Sequence, residues 1–394
     1  MAETVALSPQ AIPRGTSAAL AQGERDLRLD FFRGLALFFI FIDHIPDNFL
    51  TYFTLRSVAF SDAAEVFIFI SGFAAAMAYG KALQKRGSFI AGAQVYRRVW
   101  QLYVAHIFLF VIFTAEVSYT VLAAQNPMYG DELGIAEFLD EPHVTIIRTL
   151  MLQFQPAFLD ILPLYIVLLA AFPFVLMALA RHSLLALIPS ALLYGATLKW
   201  GWALPGYPQG HVWFFNPLAW QFLFVCGAAC GYARVSGRRI LPNVRWIPLA
   251  TTVFVVAAAI INLTWIAHWL YDPIGGLFLK TLWPHTIDKT NLAPLRLVNF
   301  LAIALTVVHF VRADNRFLRS AIARPIILCG QNSLYVFCLG ILLSVLGHFI
   351  LSEVDGRIPM QLLINVCGAG LMITAAQVIA WYKSLERAAA PRGA

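Results

Sequence analysis

Charge is what this 394-residue chain has least of: Asp, Glu, Lys and Arg make up 12% of it, against 60% hydrophobic residues. A soluble domain carries about 25% charged residues, so the shortage excludes a water-soluble globular fold and points to an integral membrane protein. The weak strand-by-strand alternation of a β-barrel is missing as well. Residues 1–30 hold no apolar run of signal-peptide length, which reads as a short cytoplasmic tail without a cleaved targeting segment. Cysteine is sparse and odd in number: Cys226, Cys230, Cys329, Cys338 and Cys367 all fall in apolar runs without metal-site spacing. They read as buried inert thiols, and no metal is expected. No internal repeat is visible, which weakens an inverted-repeat transporter.

What the chain does have is apolar length. Ten candidate spans recur at about 31–50, 62–80, 97–121, 158–180, 183–200, 215–234, 246–270, 293–312, 325–350 and 360–382, with Gly and Pro at the breaks. The fold expected is all-α: a polytopic membrane bundle of about ten transmembrane helices. Residues 1–30 form an N-terminal tail, 31–382 one membrane domain, and 383–394 a C-terminal tail. With both termini cytoplasmic, most of the 28 basic residues fall inside, among them Arg33, Lys81, Lys85, Arg86, Arg97, Arg98, Arg234 and Arg245. Arg56, Arg148, Lys199, Lys280, Lys289, Arg296 and Arg357 are left for the outer side. That asymmetry follows the positive-inside rule and accounts for the net charge of +7 without nucleic acid. The outer loop 122–157 is acidic, and its companions 201–214 and 271–292 are rich in Trp, Tyr, Pro, Gly and His. Rings at that level either anchor the protein at the interface or stack on the flat faces of sugars.

The stretch RGLALFFIFIDHIPD, Arg33 to Asp47, carries the chemistry. On a regular helix Arg33 and His44 lie about 20° apart in azimuth and ~16 Å apart in height, so they share one face. Asp43 and His44 sit roughly halfway along this apolar span, and ionisable groups at such depth mark a functional site. Asp43 points ~100° away from His44; Asp47, Glu65 and Asp160 are the other acids that can orient the imidazole. Pro46 kinks or ends the helix. A buried His with an acceptor partner suits a general base. At the cytoplasmic mouths, Arg33, Arg97 and Arg98 either serve topology or grip the phosphates of a cytoplasmic cofactor. Polar residues in the spans and at their outer ends, including Glu65, Trp213, Asn216, Trp220, Gln221 and Asn332, either tie helices together or meet substrate. The pattern Gly227-Ala-Ala-Cys-Gly231 reads as close helix packing.

The Arg33-x10-His44 spacing, VFIFISGF (Val66 to Phe73), YRRVWQLY (Tyr96 to Tyr103) and GQNSLYVF (Gly330 to Phe337) resemble the membrane acyltransferase type 3 family. Within it, the lead-in RDLRLDFFRGLALFFIFIDHIPDN, LDILPLY (Leu159 to Tyr165) and FFNPLAWQFLFVCG (Phe214 to Gly227) resemble OpgC-type proteins of Gram-negative bacteria, which succinylate osmoregulated periplasmic glucans. The resemblance covers residues 25–382 and implies an inner-membrane enzyme that hands an acyl group from cytoplasmic succinyl-CoA to an extracytoplasmic glucan. It implies His44 as base and Arg33 in donor binding. Asp43, Asp47 or Asp160 would stabilise the imidazolium, and Asn332, Ser333 or Gln221 the oxyanion. Arg148 or Arg296 could pair the free carboxylate of the donor. An acetyl donor, and a proton-coupled transporter using His44, Asp160 and His309, remain as rival readings. The oligomeric state stays open, a homodimer included.

Overall fold

Hydrocarbon offers the backbone no hydrogen bonds, so a chain this apolar has to satisfy its own amides, and helices do that segment by segment. The computed structural model describes residues 26–238, 244–266 and 287–389, and among these the only strand-like pairing is a single bridge between Pro205 and Val212. The helices used below are α1 (Leu27–Asp43), α2 (Ala63–Ala124), α3 (Pro142–Leu150), α4 (Ile161–Arg181), α5 (Ser183–Trp200), α6 (Pro217–Ser236), α7 (Ile247–Ile266), α8 (Pro294–Phe310), α9 (Ala323–Gln331), α10 (Ser333–Glu353) and α11 (Ile358–Ala389). Six of them, α2, α4, α5, α6, α10 and most of α11, are long and apolar enough to cross a membrane. A helix overlaps every one of the ten expected stretches. Arg14, Arg25, Arg239, His268, Lys280 and Arg392, with most of the 271–292 loop, lie outside the described residues.

Helix α1 departs from the expected 31–50. It starts at Leu27, where the Asp26 side chain accepts from the Arg28 backbone N–H as an N-cap. It ends at Asp43, because Pro46 cannot extend a helix and Asp47 takes a left-handed φ of 55°. His44 is therefore the C-cap at the end of the helix, not a residue midway along it.

Helix α2 is 62 residues long but not one rod. Gly87 breaks it at φ 83°, ψ 173°, a conformation that glycine adopts without the Cβ penalty. Phe67, Ser71 and Ala74 before the break line the same cavity as Arg98 and Leu102 after it, so the second arm runs back along the first. The loop expected between these spans shrinks to this one residue, and Arg97 and Arg98 are helical.

Small residues let backbones touch. A Cβ added to Gly72 would stand 2.1 Å from the Phe224 carbonyl oxygen, and one on Gly227 or Gly231 would stand 2.1 or 2.2 Å from those of Phe69 and Phe73. The Gly227-x-x-x-Gly231 face of α6 thus seats the first arm of α2 in the close-packed manner of membrane helices. Gly34 of α1 and Gly330 of α9 meet in the same way. Around these seams Phe41, Phe113, Phe172, Trp220 and Phe224 form the buried core.

Candidate active site

His44 is held by its own helix. Its Nδ1 lies 2.5 Å from the carbonyl oxygen of Ile40. A carbonyl only accepts, so Nδ1 carries the proton and the neutral ring presents Nε2 as a lone-pair acceptor. The edge of the ring meets Phe158, with centroids 4.5 Å apart at 85°. Phe158 itself has a φ of 69°, an outlier for a bulky residue. Five described non-glycine residues have positive φ, and four of them frame this site: Asp47 follows His44, Leu152 precedes Gln153, Phe158 packs on the ring, and Leu292 ends the segment that carries Lys289. Strained backbone persists where the surroundings enforce it, and functional sites are where it collects.

No carboxylate hydrogen-bonds to the ring among the described residues. Asp43 accepts from the Thr54 hydroxyl at 2.8 Å, and Asp47 is exposed in its left-handed turn. Asp160, half-buried, is the N-cap residue of α4, and its side chain makes no capping hydrogen bond. Glu65 is fully buried and committed: it accepts from the Asp62 backbone N–H at 2.9 Å and from the Arg296 guanidinium at 2.7 Å. The spacing Asp62-x-x-Glu65 ahead of an apolar run is a capping box, the one sequence signal that could have found this corner of the site.

That corner is an ion network. Asp62 pairs with Lys289 at 2.8 Å and Arg296 at 3.0 Å, while Arg296 also holds Glu65. His44, Asp43 and Asp160 are all within electrostatic reach of Asp62 and Lys289. The segment bearing Lys289 is pinned from several helices. Trp220 Nε1 donates to the Lys289 and Thr290 carbonyls at 3.0 and 3.2 Å, and the Asn216 amide reaches Asn291 at 2.9 Å. The Tyr194 hydroxyl donates to the Leu292 carbonyl at 2.6 Å. The Lys289 ammonium lies over the Phe215 ring at 5.4 Å, and with 32% of its side chain exposed it is the most accessible cation of the network.

Two hollows flank this centre. The first, about 60 Å³, is lined by Arg33, Arg98, Ser71, Tyr165 and Ser333 and by Phe67, Leu162 and Phe337. It brings together two of the three arginines singled out in the sequence; Arg97 is exposed and takes no part. Arg33 donates to the Ile70 carbonyl at 3.2 Å. Leu162 stands two residues beyond Asp160, and Phe67 two beyond Glu65, so the apolar wall of this hollow lies within one helical turn of the His44 neighbourhood. The second hollow, about 480 Å³ and open, lies among the loops on the other side of Lys289, with Trp213 and Thr290 in its wall.

The remaining candidates bind protein. The Asn216 and Trp220 side chains anchor the Lys289 segment, and Gln221 is occupied by the Ser190 hydroxyl and carbonyl at 2.5 and 2.8 Å. Asn332 accepts from Lys383 at 2.7 Å near the opposite end of the bundle. Arg148 donates to Gln153 at 2.9 Å and covers the Tyr207 ring. No group of three or more His, Cys, Asp and Glu suited to a metal occurs among the described residues. His44 thus offers an acceptor nitrogen in a protein with two hollows that it does not itself line, one edged by arginines and one by amides and aromatic rings.

A family profile described as OpgC protein matches residues 25–384. No curated protein and no solved structure matches the chain.

Proposed function

The chain belongs to the OpgC family, which makes it a glucan-modifying acyltransferase, and we propose that it moves succinyl from cytoplasmic succinyl-CoA to glucose hydroxyls of a periplasmic glucan. In this reading the chain is a multi-pass inner-membrane protein with ten spans and both termini inside, oriented by its basic residues. One observation carries the chemistry: the Ile40 carbonyl accepts the hydrogen bond from Nδ1–H, which leaves the His44 Nε2 lone pair for a substrate hydroxyl.

The donor's phosphates would be gripped by Arg33 and Arg98 at the first hollow. That hollow has room for about two waters, so the pantetheine arm has to part Phe67, Leu162 and Phe337 to bring its thioester to His44. Nε2 then takes the proton of a glucose hydroxyl while that oxygen attacks the thioester carbonyl. The ester C–O bond forms, the C–S bond breaks, and the imidazolium returns its proton to the departing thiolate. Asp43 and Asp160 stabilise the imidazolium through space rather than by a direct bond. Lys289 takes the role expected of Arg148 or Arg296, pairing the free carboxylate of the succinyl group: it too is paired, with Asp62, but it is the more exposed of the network's two cations, and Arg148 is held by Gln153.

The transport reading finds less support. His309 is exposed near the end of α8, thirteen residues past Arg296 and about 20 Å along the axis, too far for a relay. The decisive variant is His44→Ala. It should insert and fold as the parent does, bind CoA with the same thermal shift, and lose transfer by 10²–10⁴-fold, the range for general base catalysis. Parent-like succinylation would refute the base. A succinyl adduct on His44, found by mass spectrometry after quenching with donor alone, would replace direct transfer with an acyl relay.

A further inference from the structure

The larger hollow is not part of the catalytic apparatus described so far, yet its walls are fastened to one another. A hairpin forms one wall, closed by the Pro205–Val212 bridge and by the Gly206 N–H donating to the His211 carbonyl at 2.8 Å. The Tyr207 N–H donates to the Gln153 carbonyl at 2.9 Å, which fastens this hairpin to the segment leading to Phe158. Tyr207 is further fixed between the Phe154 ring, edge-on at 6.2 Å, and the Arg148 guanidinium at 5.6 Å. The opposite wall is Thr290, the residue after Lys289.

The lining says what class of molecule fits. Among the described residues it contains no Asp, Glu, Lys or Arg, so the lining holds no permanent charge, and His211 is its one imidazole. Arg148 occupies the Gln153 amide oxygen, which leaves the N–H groups of that amide to donate. Gln155 spends its own N–H on the Leu152 carbonyl at 2.9 Å, which leaves its oxygen to accept. One amide offers donors and the other an acceptor, side by side with the rings of Tyr207 and Trp213. Hydroxyl groups are both donor and acceptor, and a pyranose has an apolar face that lies against a ring. A neutral polyhydroxylated ligand uses both amides and the half-buried Tyr207 ring; an anionic metabolite would find donors here but no permanent cation to pair with.

We propose that this cleft, between the 205–214 hairpin and the Gln153–Gln155 segment, is a subsite for an unmodified sugar unit of the acceptor, adjoining the unit presented to His44. The inference rests on the acyltransferase reading and adds where the acceptor is held. Since Thr290 joins the cleft to Lys289, a chain lying in it continues towards the site of transfer. It also makes acceptor binding independent of donor, because none of the described residues of the cleft belongs to the hollow at Arg33 and Arg98.

The test uses full-length protein in nanodiscs and an unsubstituted β-linked glucose oligosaccharide, without donor. Titration should change the tryptophan fluorescence, and Trp213→Phe should remove most of that change. Gln153→Ala and Gln155→Ala should each weaken binding about five- to tenfold, the scale of one lost hydrogen bond. In transfer assays they should raise the KM for the oligosaccharide by a similar factor, with a smaller effect on kcat and none on the KM for donor. Unchanged affinity and KM in both glutamine variants, with transfer intact, would overturn the subsite and leave the acyltransferase reading standing. Binding that these variants weaken, in a protein with no transfer activity, would support a sugar site while overturning the acyltransferase reading. Wild-type protein that transfers succinyl but shows no donor-free binding would also overturn the proposal.

Discussion

The two ends of the bundle treat charge in opposite ways. At the end carrying Arg33 and Arg98 the cations are many and open to solvent: Lys81, Lys85, Arg86 and Arg97 are exposed. One carboxylate buried there, Asp26, would be raised by burial, but Arg28 and Arg234 outweigh that and hold it below the usual carboxylate range. At the His44 end Lys289 and Arg296 are bound into a network with Asp62 and Glu65, and Arg56 stands exposed outside it. The first end has a narrow hollow edged by guanidiniums, the second a wide one lined by amides and rings. An enzyme that takes a polyanionic donor from one side and a neutral acceptor from the other needs this division. A protein that only used its basic residues for topology would have no reason to aim Arg33 and Arg98 into a shared hollow.

Variants can break that comparison, and the largest effect belongs to Arg296. Among the described residues its guanidinium is the one cation paired with Glu65 and one of two paired with Asp62. Arg296→Met strands a buried carboxylate, which costs about 3–5 kcal/mol, and the folded yield measured by size-exclusion chromatography in detergent should collapse. The double change Arg296→Met with Glu65→Gln should recover much of the loss, since the stranded charge is then gone. Collapse in the double variant as well would mean that the network matters for shape rather than charge.

Arg98→Ala comes next. Loss of a charge-assisted contact to a phosphate is worth about 1.5–3 kcal/mol, so the KM for succinyl-CoA should rise by roughly 10–100-fold. Fold and acceptor KM should stay as they are, because Arg98 is half-exposed and its hydrogen bond runs to Gln101, at 3.2 Å on the same helix. Arg97→Ala is the internal control and should change donor KM little. If the two variants behaved alike, the hollow at Arg33 would not be the donor mouth.

How much of this was legible beforehand differs between the two ends for a physical reason. The basic end follows from local composition: a run of cations beside an apolar span reads directly off the chain, and so do the Gly227-x-x-x-Gly231 seam and the helix-breaking Pro46. The His44 end does not. Asp62 and Lys289 are far apart in sequence, and only the packing of α2 against the segment held by Trp220 and Asn216 unites them. Lys289 looked like an ordinary outer-side cation, and Arg296 like a partner for the free carboxylate of the donor rather than for Glu65. The polar residues Glu65, Asn216, Trp220 and Gln221 were visible as polar, but whether they bind substrate or hold loops depends on partners that periodicity cannot name. A break between 80 and 97 was expected, but that Gly87 alone makes it was hidden, because helix-forming residues continue on both sides and one residue of positive φ suffices to turn the chain.

The smallest effect expected is also the sharpest test of the division, because it concerns selectivity rather than survival. Lys289 is the more accessible of the two cations in the network beside His44, and the succinyl group is the anionic feature proposed to reach it. Lys289→Met leaves Asp62 with Arg296, so the network keeps one cation between two carboxylates and the protein should still fold. The ratio of kcat/KM for succinyl-CoA over acetyl-CoA should fall about two- to fivefold, as expected for one lost, partly exposed ion pair of ~0.5–1 kcal/mol, mostly through the succinyl donor. Lys289→Arg should retain most of the preference, since the charge is kept while the length of the side chain changes. A ratio unmoved by Lys289→Met would show that the dicarboxylate is read elsewhere, and the arginine end would then be the only part of the bundle that recognises negative charge on the donor.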